Sequence, residues 1–152
     1  MEISVEKLQR KDLKEAILVY DQNHHLKTNM DNLFSIYDKI DDNPLYHNIV
    51  AKVDGKIVGF ATVMIHYDIV EELKPFLTVW NFGVKEECRR KKIGTEMFRY
   101  IDFFAKENHC AFIALFAEKD NIIAQKFYEG LHYDEAVGYV KFIGKKCGND
   151  GI

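Results

Sequence analysis

Apolar residues along the chain follow two periods, and the switches between them mark out its elements. Ile3 and Val5 alternate with charged neighbours, the period-two pattern of a strand with one buried face. Leu13, Ile17 and Tyr20 then recur at helical spacing. Thr28-Asn29-Met30-Asp31 has the form of a capping box, and Met30, Leu33, Phe34, Tyr37 and Ile40 follow on one face, so a second amphipathic helix is expected. His47 to Val53 and Lys56 to Ile65 are β-prone runs flanking Asp54-Gly55, a pair favoured in two-residue hairpin turns because both positions need positive φ. Phe76 to Val84 reads as a further strand, in which Gly83 signals a bulge or another group pressed against the backbone. Ile93, Met97, Ile101, Phe104 and Ala105 predict a long helix. Ala111 to Ala117 predicts an apolar strand, Asn121 to Glu129 a helix, and Tyr133 to Ile143 a closing strand.

The resulting order, β-α-α-β-β-β-α-β-α-β, predicts the α/β (α+β) class, with a mixed, mostly antiparallel central sheet and helices on both faces. The strand–helix–strand run from Phe76 to Ala117 implies a parallel pair. Its right-handed crossover sets a helix N-terminus beside the carboxyl end of the first strand. The sequence has no internal repeat, no Gly/Ser-rich linker and two prolines, and 152 residues at 47% hydrophobic content suit one domain spanning 1–152.

Charge and cysteine usage narrow the function. With 21 basic and 24 acidic residues the net charge is -3, so neither nucleic acid nor an anionic membrane is an expected partner. Cys88, Cys110 and Cys147 are scattered without a zinc or disulfide spacing, so no metal is expected and a reducing, cytoplasmic setting fits. MEISVEKLQRKD carries no apolar run after its charges, and nowhere do roughly 18 apolar residues run uninterrupted, so neither a secretion signal nor a membrane span is expected. Sheet edges make a homodimer an expectation.

Candidate chemistry concentrates in TVWNFGVKEECRRKKIGTEMF, which sets a glycine and four cations at a strand-to-helix turn. A helix N-terminus offers unpaired N–H groups and partial positive charge, so a pyrophosphate can be held there by main-chain amides. Arg89, Arg90, Lys91 and Lys92 add charge around the same point, and a nucleotide-type cofactor is the natural ligand. Read alone, the same run is a solvated turn or, less readily in an acidic chain, a nucleic-acid patch.

Arg89-Arg90-Lys91-Lys92-Ile93-Gly94 resembles the Gln/Arg-x-x-Gly-x-Gly/Ala motif of the GNAT superfamily of N-acetyltransferases, with Lys92 at the first family glycine. Downstream, Asn121, Ala124, Phe127 and Tyr128 resemble the family's Asn-x-x-Ala-x-x-Phe-Tyr-x-x-x-Gly-Phe segment, with His132 and Tyr133 where Gly-Phe is usual. The resemblance implies an acetyl-CoA N-acyltransferase fold with a splayed parallel strand pair, between which the pantetheine arm lies. Main-chain groups of Phe82 and Val84 would bond that arm, with Gly83 leaving room. Amides from Arg89 through Arg90, Lys91, Lys92, Ile93, Gly94 and Thr95 would hold the pyrophosphate. Asn121 would anchor the CoA arm, with Ala124 and Phe127 of the same motif beside it.

By the same resemblance, transfer runs directly from acetyl-CoA to a primary amine of a small molecule or peptide. A backbone N–H near Phe82 to Val84 steadies the oxyanion, and Tyr128 is the general acid. The alternative is a non-catalytic acyl-CoA sensor or regulatory module. Many relatives carry a glutamate where Trp80 stands, which leaves the general base open among His66, Asp68, Glu71 and Glu72. Asn121 equally fits a helix N-cap, and Gly94 a crowded turn. His24 and His25 read as a polar loop, or as pocket lining. Cys88 reads as a bystander, and Trp80, Phe82, Phe34 and Tyr37 as core or as an acceptor pocket.

Overall fold

A sheet of five strands in the order β1-β2-β3-β4-β5 forms the middle layer of the computed structural model, which describes residues 1–144. The strands are β1 (Ile3–Lys7), β2 (Tyr46–Val53), β3 (Lys56–His66), β4 (Phe76–Val84) and β5 (Ile113–Leu115). All pairings are antiparallel except β4 with β5, which is parallel. Between β2 and β3, Asp54 at φ 51 and Gly55 at φ 81 make the tight turn that the sequence requires. Among the described residues no helix is long and apolar enough to cross a membrane.

Alternation along the central strands divides the apolar side chains between two faces, and helices cover both. On one face α1 (Leu13–His24) and α2 (Leu33–Asp41) set Leu13, Ala16, Val19 and Tyr37 against Val50, Ile57 and Phe60. On the other, α3 (Ile93–Glu107) lays Met97, Phe98 and Ile101 on Ile49, Ala61, Val63, Leu77 and Val79. The last helix, α4 (Ile122–Gly130), brings Phe127 and Tyr128 to the edge of that second cluster. Phe98, 1% exposed, is the ring around which Phe82, Phe127, Tyr128 and Tyr133 gather.

Four local readings of the sequence need correction. Thr28 does not close a capping box: its N–H and hydroxyl both go to the Asp21 carboxylate, each at 2.7 Å, and Asn29 caps the following turn by accepting from Asp31 N–H. The bulge in β4 lies at Trp80 and Asn81, two residues set against Thr62 alone, and not at Gly83. The strand expected over Ala111 to Ala117 pairs only from Ile113 to Leu115, because β4 leaves its neighbour at the bulge. No strand forms from Tyr133 to Ile143 among the described residues. Val137, Tyr139 and Ile143 have the composition of a strand, but β propensity needs a partner to pack on, and these side chains stay exposed.

Truncating Phe98 to alanine leaves a cavity under this ring cluster, and we expect a loss of about 3–5 kcal/mol. A urea titration showing a lower midpoint at unchanged slope is the check; a midpoint within error of the parent refutes it. His47 stacks on Phe104 at 4.1 Å and meets Tyr100 Oη at 2.8 Å. Burial, then the charge of Lys7, lowers its pKa below the ordinary 6.5. The unfolded chain therefore takes up the proton first as pH falls, so stability is full above 6.5 and declines through the lowered native value. His47→Phe should flatten the dependence of the urea midpoint on pH between neutrality and mild acid.

Candidate active site

β4 and β5 hold together over three residue pairs and then part. Leu77, Thr78 and Val79 pair with Ile113, Ala114 and Leu115, after which the bulge turns β4 away. Side chains fix the bulge: Asn81 Nδ2 donates to Thr62 Oγ1 at 3.1 Å, and Thr62 donates to Asn48 Oδ1 at 2.9 Å. Thr62 is 8% exposed, so this polar chain crosses three strands inside the sheet.

Beyond the bulge β4 has a neighbouring strand on one side only. Lys85 N–H bonds to Val58 O at 2.8 Å, so Lys85 faces β3. Main-chain groups alternate sides along a strand, and those of Val84 and Phe82 therefore point away from β3, into the gap that β5 has vacated. Phe82, Gly83 and Val84 thus line a seam that no strand fills. Trp80 and Phe116 meet edge to face at 5.7 Å where the seam begins.

The turn after Val84 closes one end of the seam. Arg90 at φ 62 and Lys92 at φ 65 are both left-handed, the conformation that glycine adopts without strain. Lys92 occupies the position of the family glycine, so the backbone keeps the glycine shape although the side chain departs from it. No side chain caps α3, and its first internal bond runs from Glu96 N–H to Lys92 O at 3.0 Å. The N–H groups of Ile93, Gly94 and Thr95 precede that bond and face outward, ringed by the exposed side chains of Arg89, Arg90, Lys91 and Lys92.

The two sequence motifs meet in space. A Cβ on Gly94 would lie 3.1 Å from Phe127 Cζ, so bare glycine lets α4 reach the start of α3. Phe127 in turn stacks on Phe82 at 6.1 Å. Asn121 caps α4 by accepting from Ala124 N–H at 3.1 Å, and Ala124 lies one turn before Tyr128 on that helix. Burial raises the Tyr128 phenol above its ordinary value, and the nearby Tyr20 phenol adds to the effect. Tyr20 belongs to α1 on the opposite face of the sheet. The Tyr20 phenol thus acts on Tyr128 where the sheet is split. Behind Tyr128, the buried Tyr133 hydroxyl has no hydrogen-bond partner among the described residues, and burial raises it strongly.

His24, read from the sequence as polar loop or pocket lining, is the last residue of α1. Asp21, 5% exposed, holds Thr28 with both oxygens, and His25 at φ 54 ends the helix. That geometry swings Asn23 and His24 onto β4: Asn23 Oδ1 accepts from Arg89, and His24 Nε2 lies 3.0 Å from Phe82 O. Gly83 makes room, since a Cβ there would stand 3.1 Å from both Asn23 Nδ2 and His24 Nε2. The close approach that Gly83 signals is therefore made by α1. A usable signal was the spacing of Tyr20 and His24, four residues apart on one helical face and stacked at 4.2 Å. Of the candidate bases, His66 pairs with Phe76 and bonds Thr78 Oγ1 at 2.8 Å. It lies five residues along β3 from Ala61, the partner of Phe82, or about 17 Å. Asp68 accepts from Val70 N–H, and Glu72 pairs with Lys74 at 2.8 Å.

Known proteins share this fold. Residues 10–133 match the model of the Acetyltransferase (GNAT) family. A protein of Bacillus subtilis provisionally named a ribosomal protein bS18-alanine N-acetyltransferase is 26% identical over 95 residues, 62% of this chain. The match spans 58% of that relative's length. Among solved structures, a transcriptional regulator from Bacillus halodurans superimposes with a TM-score of 0.85 at 18% identity, covering 93% of this chain and 99% of that one. An aminoglycoside acetyltransferase from an uncultured soil metagenomic sample superimposes with a TM-score of 0.83 at 21% identity, covering 94% and 97%. These structures share the fold, and the family match covers most of the chain from Arg10 to Tyr133, including the seam, the cradle that the turn from Arg89 to Lys92 makes with the start of α3, and Tyr128: this protein belongs to the GNAT family of acetyltransferases.

Proposed function

We propose that the chain is an acetyl-CoA-dependent N-acetyltransferase of the cytoplasm that acetylates a primary amine on a small molecule or peptide. One observation carries this reading: Phe82 N–H and the main-chain groups of Val84 face the gap that β5 leaves, which ends at a helix N-terminus without a side-chain cap. An extended pantetheine arm can add to β4 there as a strand would. The bare amides of Ile93, Gly94 and Thr95, with Arg90, Lys91 and Lys92 around them, suit a diphosphate. The residues present therefore fit acetyl-CoA, which when bound supplies an acyl group activated as a thioester.

The chain's own groups divide the remaining work. Phe82 N–H, turned into the seam, is the donor for the carbonyl oxygen as negative charge gathers there. Tyr128 reaches the seam from α4 and protonates the departing thiolate. Its raised pKa keeps the phenol intact at neutral pH, as a proton donor must be. The soil aminoglycoside acetyltransferase supports a small-molecule amine, and the Bacillus subtilis relative an alanine N-terminus. Both are primary amines, and the seam is common to either acceptor.

Two outcomes test the reading. Acetyl-CoA should raise the melting temperature, and free CoA should be released with at least one amine from a panel of spermidine, tobramycin and an alanine-initiated peptide. Tyr128→Phe should keep the stabilisation and lose on the order of 100-fold or more in kcat. Stabilisation without release from any amine would instead favour a sensor, and absence of stabilisation would overturn the proposal. Lys92→Gly should raise intrinsic stability by up to about 1 kcal/mol, because glycine relieves the left-handed strain. The same change should shrink the shift produced by acetyl-CoA, because a phosphate-facing cation is lost. Melts with and without acetyl-CoA read both effects, and a fall in intrinsic stability would contradict the strain argument.

A further inference from the structure

An amine that arrives as an ammonium must lose a proton before it can attack, and Trp80, at the place where many relatives carry glutamate, has no group to take it. We propose that His24 is the general base of this acetyltransferase, an inference that rests on the function proposed above.

The hydrogen bond to Phe82 sets the tautomer. A carbonyl oxygen carries no hydrogen, so at 3.0 Å it is His24 Nε2 that donates and Phe82 O that accepts. The neutral ring then holds its free lone pair on Nδ1. Phe82 turns its carbonyl and its N–H to the same side of the strand, so the imidazole sits at the seam, beside the N–H assigned to the carbonyl oxygen. Three features hold the ring there: the Tyr20 ring 4.2 Å away, the absence of a Cβ on Gly83, and the Asp21–Thr28 bonds that end the helix. The charged and titratable groups around it are Tyr20, Asp21 and His25 on α1 and Arg89 from the cradle. Partial desolvation where the ring lies against β4, and after it Arg89 and His25, lower its pKa below 6.5 against the opposing pull of Phe82 O and Asp21, while the rest of the ring stays exposed. His24 is thus an unprotonated base at neutral pH.

The protons balance. His24 Nδ1 takes one proton from the ammonium and passes it to solvent. The freed lone pair forms the N–C bond, the C–S bond breaks, and Tyr128 gives its proton to the thiolate. The second proton leaves the new amide nitrogen and restores Tyr128, so each turnover releases one proton, by way of His24.

The test compares wild type with His24→Gln, whose amide can still donate to Phe82 O. The amine is whichever of spermidine, tobramycin and the alanine-initiated peptide the wild type accepts. In wild type, kcat/KM for CoA release should fall on the acid side with a midpoint below 6.5. In the variant that limb should disappear and kcat should drop on the order of 100- to 10,000-fold, with acetyl-CoA stabilisation retained. Nitrogen NMR of the imidazole, without any substrate, should show the Nε2–H tautomer titrating below 6.5. Full activity in the variant, an unchanged acid limb, parallel loss of acetyl-CoA binding, or an Nδ1–H tautomer each overturns the assignment. A wild type inert toward every amine defeats the acetyltransferase reading itself and this inference with it. An active wild type beside an equally active variant defeats only the role of His24.

Discussion

The parting of β4 from β5 governs everything else in this molecule. Two strands that stayed paired would leave no main-chain donors or acceptors for a ligand, and the residues of α1 and α4 would remain on opposite sides of a continuous sheet. The separation follows from one extra residue in β4, opposite Thr62, and from the hydrogen bonds that Asn81 and Thr62 make across it. A bulge held by a buried threonine between two partly buried asparagines keeps its position, because losing one partner would leave the Thr62 hydroxyl short of a hydrogen bond.

Around the seam, each element contributes what its local chemistry allows. The start of α3 contributes unfilled N–H groups, and left-handed residues at Arg90 and Lys92 turn the chain tightly enough to expose them. α4 contributes the phenol of Tyr128, seated by the aromatic cluster around Phe98. α1 contributes an imidazole whose orientation is set by a main-chain carbonyl and a glycine of the neighbouring strand. The cradle and the α1 side of the seam are joined directly, since Arg89 bonds to Asn23.

Much of this was legible in the sequence. The hairpin at Asp54-Gly55 and the bounds of β4 rest on local rules of turn chemistry and periodicity, whereas the Arg89–Gly94 and Asn121–Tyr128 motifs are read from their resemblance to the GNAT family; the structure follows the first two and brings Gly94 against Phe127. What stayed hidden depends on contacts between distant residues. Thr28 matches a capping box, yet the Asp21 carboxylate outcompetes the local partner because it supplies two strong acceptors to one residue. The β-prone composition from Tyr133 to Ile143 makes no strand among the described residues, since Val137, Tyr139 and Ile143 bury no face against the sheet. Gly83 announces that something comes close, but only the folded chain shows that the visitor is the end of α1.

The relay from Asn81 through Thr62 ends on Asn48, in a strand that lies two places from the seam and never touches it. The location of the opening is therefore encoded partly in β2. A change at Asn48 would be felt at the seam while leaving every residue that lines it unchanged, so inspecting the motif residues alone would miss the cause.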